Sequence, residues 1–457
     1  MVWAGVRRAV RESVAGMPPQ FWWLWTSTLV NRLGGFVATF LVLYLTVDQG
    51  RSASFAGFVV SLYGFGGVVG AIGGGIMADR LGRRPTLLVT QLASAVAVGV
   101  LGFVQHPAAI AAVAALVGAV TTASRPAVQA MMADIVPAED RVRAYSLNYW
   151  AINLGFAVSA TAAGFIAEYS YLIGFLGEAV MTLACAIIVF VKLPESRPER
   201  TGGKGAADSA EPSVSMWTVA RDGKFMSLTG LWFLLALIFT QGYVGLPLAM
   251  GEDGLSSSQF GLVMAFNGVL VVALQIPVTR FIEHRDPRPL LVVSALLAGY
   301  GYGLTAFAGS MAFYALTVAV WTLGEIISAP TQAGLVVRLS PLHGRGRYQG
   351  VHNMTWSVAT LVAPLMAGLV IDRYGADWLW AMCAVLGTVS AAGYWLLMRH
   401  LEAEGKSAGL GKSAGPVAEG TAKIPGAVET PGLVPVTEPA GEPGPPTAPD
   451  RARETAD

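Results

Sequence analysis

Twelve long apolar runs decide what this chain can become. The hydrocarbon core of a bilayer is about 30 Å thick and a helix rises about 1.5 Å per residue, so a spanning helix needs roughly 20 apolar residues. Runs of that kind start near Phe21, Phe55, Thr86, Ala108, Tyr145 and Leu172, and again near Leu228, Gln259, Leu290, Met311, Gln349 and Asp377. Backbone in lipid must satisfy its own hydrogen bonds, so the expected fold class is an all-α membrane protein with twelve transmembrane helices. Of the 457 residues only 13% are charged, about half the fraction in ordinary soluble domains. That balance argues against a soluble enzyme, and a net charge of +1 gives no footing for nucleic acid.

The runs fall into two groups of six. Between them ESRPERTGGKGAADSAEP has no apolar periodicity and reads as a linker. The expected organisation is a cytoplasmic N-terminus 1–20, a six-helix bundle 21–193, a cytoplasmic linker 194–226, a second bundle 227–400 and a disordered tail 401–457. The tail is rich in Gly, Pro, Ala and Glu and cannot bury a core. No signal-peptide pattern precedes the first run, which is expected to be retained as a span. Because Lys and Arg resist translocation, orientation follows from them. With both termini inside, 26 of the 30 Lys and Arg are cytoplasmic, Arg51 and Arg373 lie in outer loops, and Arg32 and Arg125 lie within spans. A multi-pass protein of the cell membrane is expected. Cys185 and Cys383 sit in apolar runs and offer neither a disulfide framework nor a zinc site. There is no Gly-x4-Gly-Lys-Ser/Thr loop for an ATP-driven pump, and His106, His284, His343 and His352 are scattered rather than grouped for hydrolysis.

An internal repeat runs at an offset of 204 residues. Asp79, Arg84 and Pro85 align with Glu283, Arg288 and Pro289, and Ser124, Pro126, Pro137, Arg141 and Arg143 with Ser328, Pro330, Pro341, Arg345 and Arg347. Ala163 and Gly164 then match Ala367 and Gly368 without a gap. Apolar similarity alone would not reproduce Pro and Arg positions in loops. Two parallel halves about an axis along the membrane normal, rocking around a central cavity, are the arrangement expected of many transporters. A pore would instead predict polar rings and oligomeric symmetry.

Gly75-Ile-Met-Ala-Asp79-Arg80-Leu-Gly82-Arg83-Arg84 resembles the signature between the second and third helices of the major facilitator superfamily, and the resemblance covers about residues 20–400. It implies a latch of Gly75, Asp79, Arg80, Gly82, Arg83 and Arg84 at the cytoplasmic mouth that favours an outward-open state. The same arginines are also plain topology determinants. Ala133-Asp134-Ile-Val-Pro137, Arg141, Arg143 and Asn153-Leu-Gly155 resemble the fourth and fifth helices of drug:proton antiporters. Ser159 and Ala160 stand where that group has a Gly-Pro pair, and Ala114 stands where it has an Arg four residues before Gly118. Asn31-Arg32-Leu-Gly-Gly-Phe is similar to the start of peptide symporters, with Thr28 and Asn31 in place of their glutamates.

A charge at mid-bilayer costs at least ~2.5–3.5 kcal/mol, which singles out Arg32, Arg125, Glu178 and Glu325 as coupling or cavity charges. The family fold implies that the first, fourth, seventh and tenth spans line the cavity, which places Arg32, Arg125 and Glu325 there. Glu325 is the candidate proton carrier. The plainer readings are an Arg32–Glu325 ion pair, an Arg125 that snorkels or pairs with Asp79 or Asp134, and a Glu178 that reaches the outer interface. Asn31, Gln241, Tyr243, Asn267, Trp321 and Trp356 are the candidate substrate contacts, with Pro247 expected to break the seventh span. Large rings with few fixed donors suit an amphipathic molecule better than a sugar. The expected function is proton-coupled export of lipophilic or amphipathic small molecules by a carrier that works as a monomer, its partners being substrate, protons and lipid, with no cofactor beyond the proton gradient. The alternative is proton-coupled import of a peptide-like or anionic nutrient.

Overall fold

The computed structural model describes residues 16–137, 140–196, 215–282, 285–341 and 345–410. Residues 1–15, the linker from 197 to 214, Glu283, His284, His343 and the tail from 411 lie outside the described residues. Among the described residues, 12 helices are long and apolar enough to cross a membrane. The first six are Pro19–Asp48, Ala53–Arg80, Arg83–Leu101, Pro107–Ile135, Arg143–Tyr169 and Tyr171–Lys192. The second six are Gly223–Glu252, Ser257–Gln275, Pro287–Phe307, Met311–Val336, Arg347–Tyr374 and Ala376–His400. Part of the stretch expected as linker is ordered: Met216–Arg221 is helical, and Asp222 accepts from the Phe225 amide at 3.1 Å to start the seventh span. The end of the bundle that carries Arg83, Arg84 and Arg288 is called the basic end below; the other is the far end.

The opening helix of each half is broken. The first span runs as Pro19–Leu33 and Val37–Leu43 around Gly34-Gly35, and the seventh as Gly223–Thr240 and Gly245–Glu252. The seventh breaks at Gln241–Val244, ahead of the expected Pro247. Pro247 falls in the first turn of the new helix, where its missing N–H has no partner to lose.

Packing in lipid relies on close approach of small residues rather than on a hydrophobic drive. A Cβ on Gly66, Gly70 or Gly74 of the second span would collide with the carbonyl of Ala115, Ala119 or Ala123 of the fourth. The same device joins the halves. Gly57 and Gly64 lie against Pro364 and Thr360 of the eleventh span, and Gly261 and Gly268 of the eighth against Ala160 and Ala157 of the fifth. The contacts that join the halves lie in the far half of the helices or at their middle. Towards the basic end Tyr149 and Trp356 stand 47% and 42% exposed, so the cleft between the halves opens there.

Candidate central cavity

The break in the first span creates the polar centre of the N-terminal half. Gly34-Gly35 interrupts the helix and leaves the amides of Phe36 and Val37 without intrahelical partners. Both donate to one oxygen of Glu178, from the sixth span, at 2.9 and 2.7 Å. Glu178 is therefore held inside the bundle at the broken helix and does not reach the outer interface. Arg32 sits on the last turn before the break, its Cβ packed where any side chain on Gly155 would go. Arg32, Arg125, Glu178 and Asn31 line one cavity of about 100 Å³ with Tyr63 and Gln91. Among the described residues no carboxylate lies within the 4.0 Å of an ion pair from either guanidinium. The Arg32–Glu325 pair is thus not formed. Nor does Arg125 take Asp134, which is occupied by Arg83 at 3.0 Å and Ser196 at 3.2 Å.

On the facing half Glu325 accepts from Asn267 Nδ2 at 3.2 Å, and the same amide donates to Thr322 Oγ1 at 2.9 Å. No cation is within ion-pair distance of Glu325 among the described residues. Tyr243, 39% exposed, meets Phe156 of the other half edge-on at 6.1 Å. Trp356 stacks parallel on Phe239 at 6.2 Å. Two sequence candidates lie elsewhere. Trp321 is buried, stacked on Tyr302 at 5.0 Å with its backbone against Gly301. Gln241 is fully buried where the seventh span breaks, donating to the Leu237 carbonyl at 3.2 Å. In this conformation both belong to the interior of the C-terminal bundle, because the helix break turns Gln241 inward and the ring stack holds Trp321 there.

The signature residues of the expected latch make contacts within their own half. Gly82 turns the chain at φ 107°, a conformation that favours glycine. A Cβ there would stand 2.6 Å from Glu195, whose carboxylate caps the third span by accepting from the amides of Arg83 and Arg84 at 2.9 and 3.2 Å. Arg83 also reaches Asp79 at 3.7 Å, and Arg84 donates to the Phe190 carbonyl at 2.6 Å. Asp79 is 79% exposed, Arg80 is exposed, and Gly75 faces open space. No cross-half contact of Asp79 occurs among the described residues, as the open basic end requires.

The far end carries a latch that sequence reasoning missed. Asp372, closing the eleventh span, accepts from the amides of Ala53 and Ser54 at the start of the second span, at 3.2 and 2.8 Å. Glu168, closing the fifth, accepts from the Ser258 amide at the start of the eighth, at 3.3 Å. Positions 168 and 372 are themselves 204 apart, so each half offers an anion to a helix N-terminus of the other, the favourable sign for a helix dipole. Extending the repeat four residues past Gly164 and Gly368 would have found them.

The sequence model of the Major Facilitator Superfamily matches residues 24–364 and 243–435. The chain belongs to that superfamily. Among its relatives, the uncharacterized MFS-type transporter YttB of Bacillus subtilis (strain 168) is 26% identical over 358 residues, covering 77% of this chain and 87% of YttB. The multidrug resistance protein MdtH of Salmonella arizonae is 22% identical over 373 residues, covering 78% and 88%. The crystal structure of the POT family transporter PepTSo shares the fold with a TM-score of 0.71 at 15% identity, over 84% of this chain and 98% of that one. As a member of the major facilitator superfamily, this is a multi-pass membrane protein and a secondary active transporter of small molecules, not an enzyme.

Proposed function

We propose that the chain is a proton-coupled exporter of amphipathic small molecules, resident in the cell membrane with both termini cytoplasmic and working as a monomer by alternating access. The observation that carries the reading is Glu325, a carboxylate deep in the tenth span whose described hydrogen bond is from Asn267 and which has no cation within ion-pair distance among the described residues. Such a group is free to take a proton on one side of the membrane and release it on the other. The distribution of Lys and Arg makes the basic end cytoplasmic, so the open cleft is the state that loads cargo from inside. Proton release from Glu325 to the cytoplasm accompanies loading; rocking of the halves then delivers cargo outside, and reprotonation there resets the carrier. Similarity to a relative named as a multidrug resistance protein supports export.

Import of an anionic nutrient is the second reading, favoured by Arg32 and Arg125, which have no ion-pair partner among the described residues. Inverted vesicles separate the two. Acidifying the lumen drives accumulation of cargo inside if the carrier exports, and drives none if it imports. Glu325→Gln is expected to abolish gradient-driven accumulation while leaving cargo-for-cargo exchange. Accumulation by Glu325→Gln that follows the gradient as wild type does would refute the assignment.

A further inference from the structure

We propose that the pocket of the N-terminal half is an anion receptor, and that the cargo is an organic acid whose carboxylate, phosphonate or sulfonate sits between Arg32 and Arg125. The inference rests on reading the cavity as the transport path and names the class of molecule that path takes. Arg32 and Arg125 line one cavity with a single carboxylate, Glu178, and among the described residues neither guanidinium has a carboxylate within 4.0 Å. Glu178 is held at the helix break by the Phe36 and Val37 amides, and its one negative charge offsets no more than one of the two guanidiniums. Asp134 holds Arg83 and Ser196, and Asp79 faces outward beside Arg83. The pocket therefore keeps a positive charge in excess within the thickness of the membrane, where an uncompensated charge is costly. Ser124 and Thr121, on the same wall as Arg125, donate their hydroxyls to their own helix, at 2.9 and 2.7 Å. The guanidiniums thus remain the strongest donors facing the cavity. Guanidinium forks match planar or tetrahedral oxyanions in a bidentate manner.

A volume of about 100 Å³ suits a head group rather than a whole cargo molecule. The apolar remainder has Tyr243 of the facing half to lie against, about two-fifths exposed and edge-on to Phe156 of the N-terminal half. An anionic head in one half and an apolar tail in the other is an amphipathic acid. Neutral and cationic amphiphiles would leave the excess positive charge uncompensated.

The test is binding to the purified full chain in lipid nanodiscs, by calorimetry, with four probes that share one 4-phenylbutyl tail: 5-phenylpentanoate, 4-phenylbutylphosphonate, 4-phenylbutanol and 4-phenylbutylamine. The two acids are expected to bind at least tenfold more tightly than the alcohol or amine. Arg32→Gln and Arg125→Gln should each weaken acid binding roughly tenfold to a hundredfold, with binding of the alcohol and the melting temperature held. Arg125, exposed to the cavity, tolerates replacement if Arg32, packed on Gly155, does not. Equal affinity for alcohol or amine, acid binding untouched by the arginine variants, or no binding of either acid overturns the proposal. Arginine-dependent acid binding without proton-driven flux would overturn the transport reading alone. Proton-driven efflux of the amine but not the acids would overturn the anion receptor alone.

Discussion

Asp372→Ala tests whether the far end is held shut by the paired carboxylates. In the conformation described, the Asp372 carboxylate spans two amides of the other half, Ser54 at 2.8 Å and Ala53 at 3.2 Å. When the halves part there, water takes over both sides, so the net loss is that of a helix cap, about 0.5–2 kcal/mol. Exposure and salt screening bring this to about 1 kcal/mol, which shifts the ratio of far-open to far-closed molecules about fivefold. Glu168 accepts from the Ser258 amide at 3.3 Å and from the side chains of Ser256 and Ser258; Glu168→Gln removes the charge but keeps an accepting oxygen and should shift the ratio less. The two sites pair different helices and share no partner, so the double variant should show the product of the two shifts. Spin labels at Arg51→Cys and Gly309→Cys, exposed far-end positions in opposite halves, report the ratio as a distance distribution; the native Cys185 and Cys383 are buried and label poorly. Asp48→Asn is the control, since its described hydrogen bond is to neighbouring Gln49 in its own half. An unchanged ratio in Asp372→Ala, a shift towards the far-closed state, or an equal shift in Asp48→Asn would refute the latch.

Two packing variants follow from the same geometry. Gly57→Ala drives a methyl into the Pro364 carbonyl; overpacking of about 1–3 kcal/mol falls on the far-closed state, so the same labels should report more far-open molecules at normal membrane insertion, and an unaltered distribution would count against the close-approach argument. Gly82→Ala combines a left-handed backbone with a contact on Glu195, a strain of about 1–3 kcal/mol that should lower the melting temperature in detergent; an unchanged melting curve would show that the turn relaxes without cost.

Much of this was legible from residue order. Spans are legible because lipid forces every helix to write itself as an apolar run, and the twelve apolar runs of the sequence coincide with the spans of the fold. The repeat was legible through loop Pro and Arg. The helix breaks were legible only in part: Gly34-Gly35 and Pro247 mark the regions, but the seventh span turns at Gln241 because proline is tolerated in a first turn. Within the site, Arg32, Arg125, Glu178 and Glu325 stood out because charge is rare in a span. What each touches did not. Arg83, read as part of a latch between halves, ties Asp134 to its own bundle, while Asp372 and Glu168, exposed and unremarkable in sequence, bridge the halves.

Hydropathy and the positions of basic residues are one-dimensional properties that any conformation of the chain must obey, so they determined the number of spans, their grouping and the expected inside face. Partnership is different. Whether a buried cation meets Glu178, Glu325 or nothing depends on helix rotation and on which end of the cleft is closed, and neither is written in the spacing of residues along one strand of text. Only the packed bundle decided that Glu178 serves a broken helix, that Trp321 belongs to the interior, and that two arginines share one cavity with a single carboxylate that forms no ion pair with either.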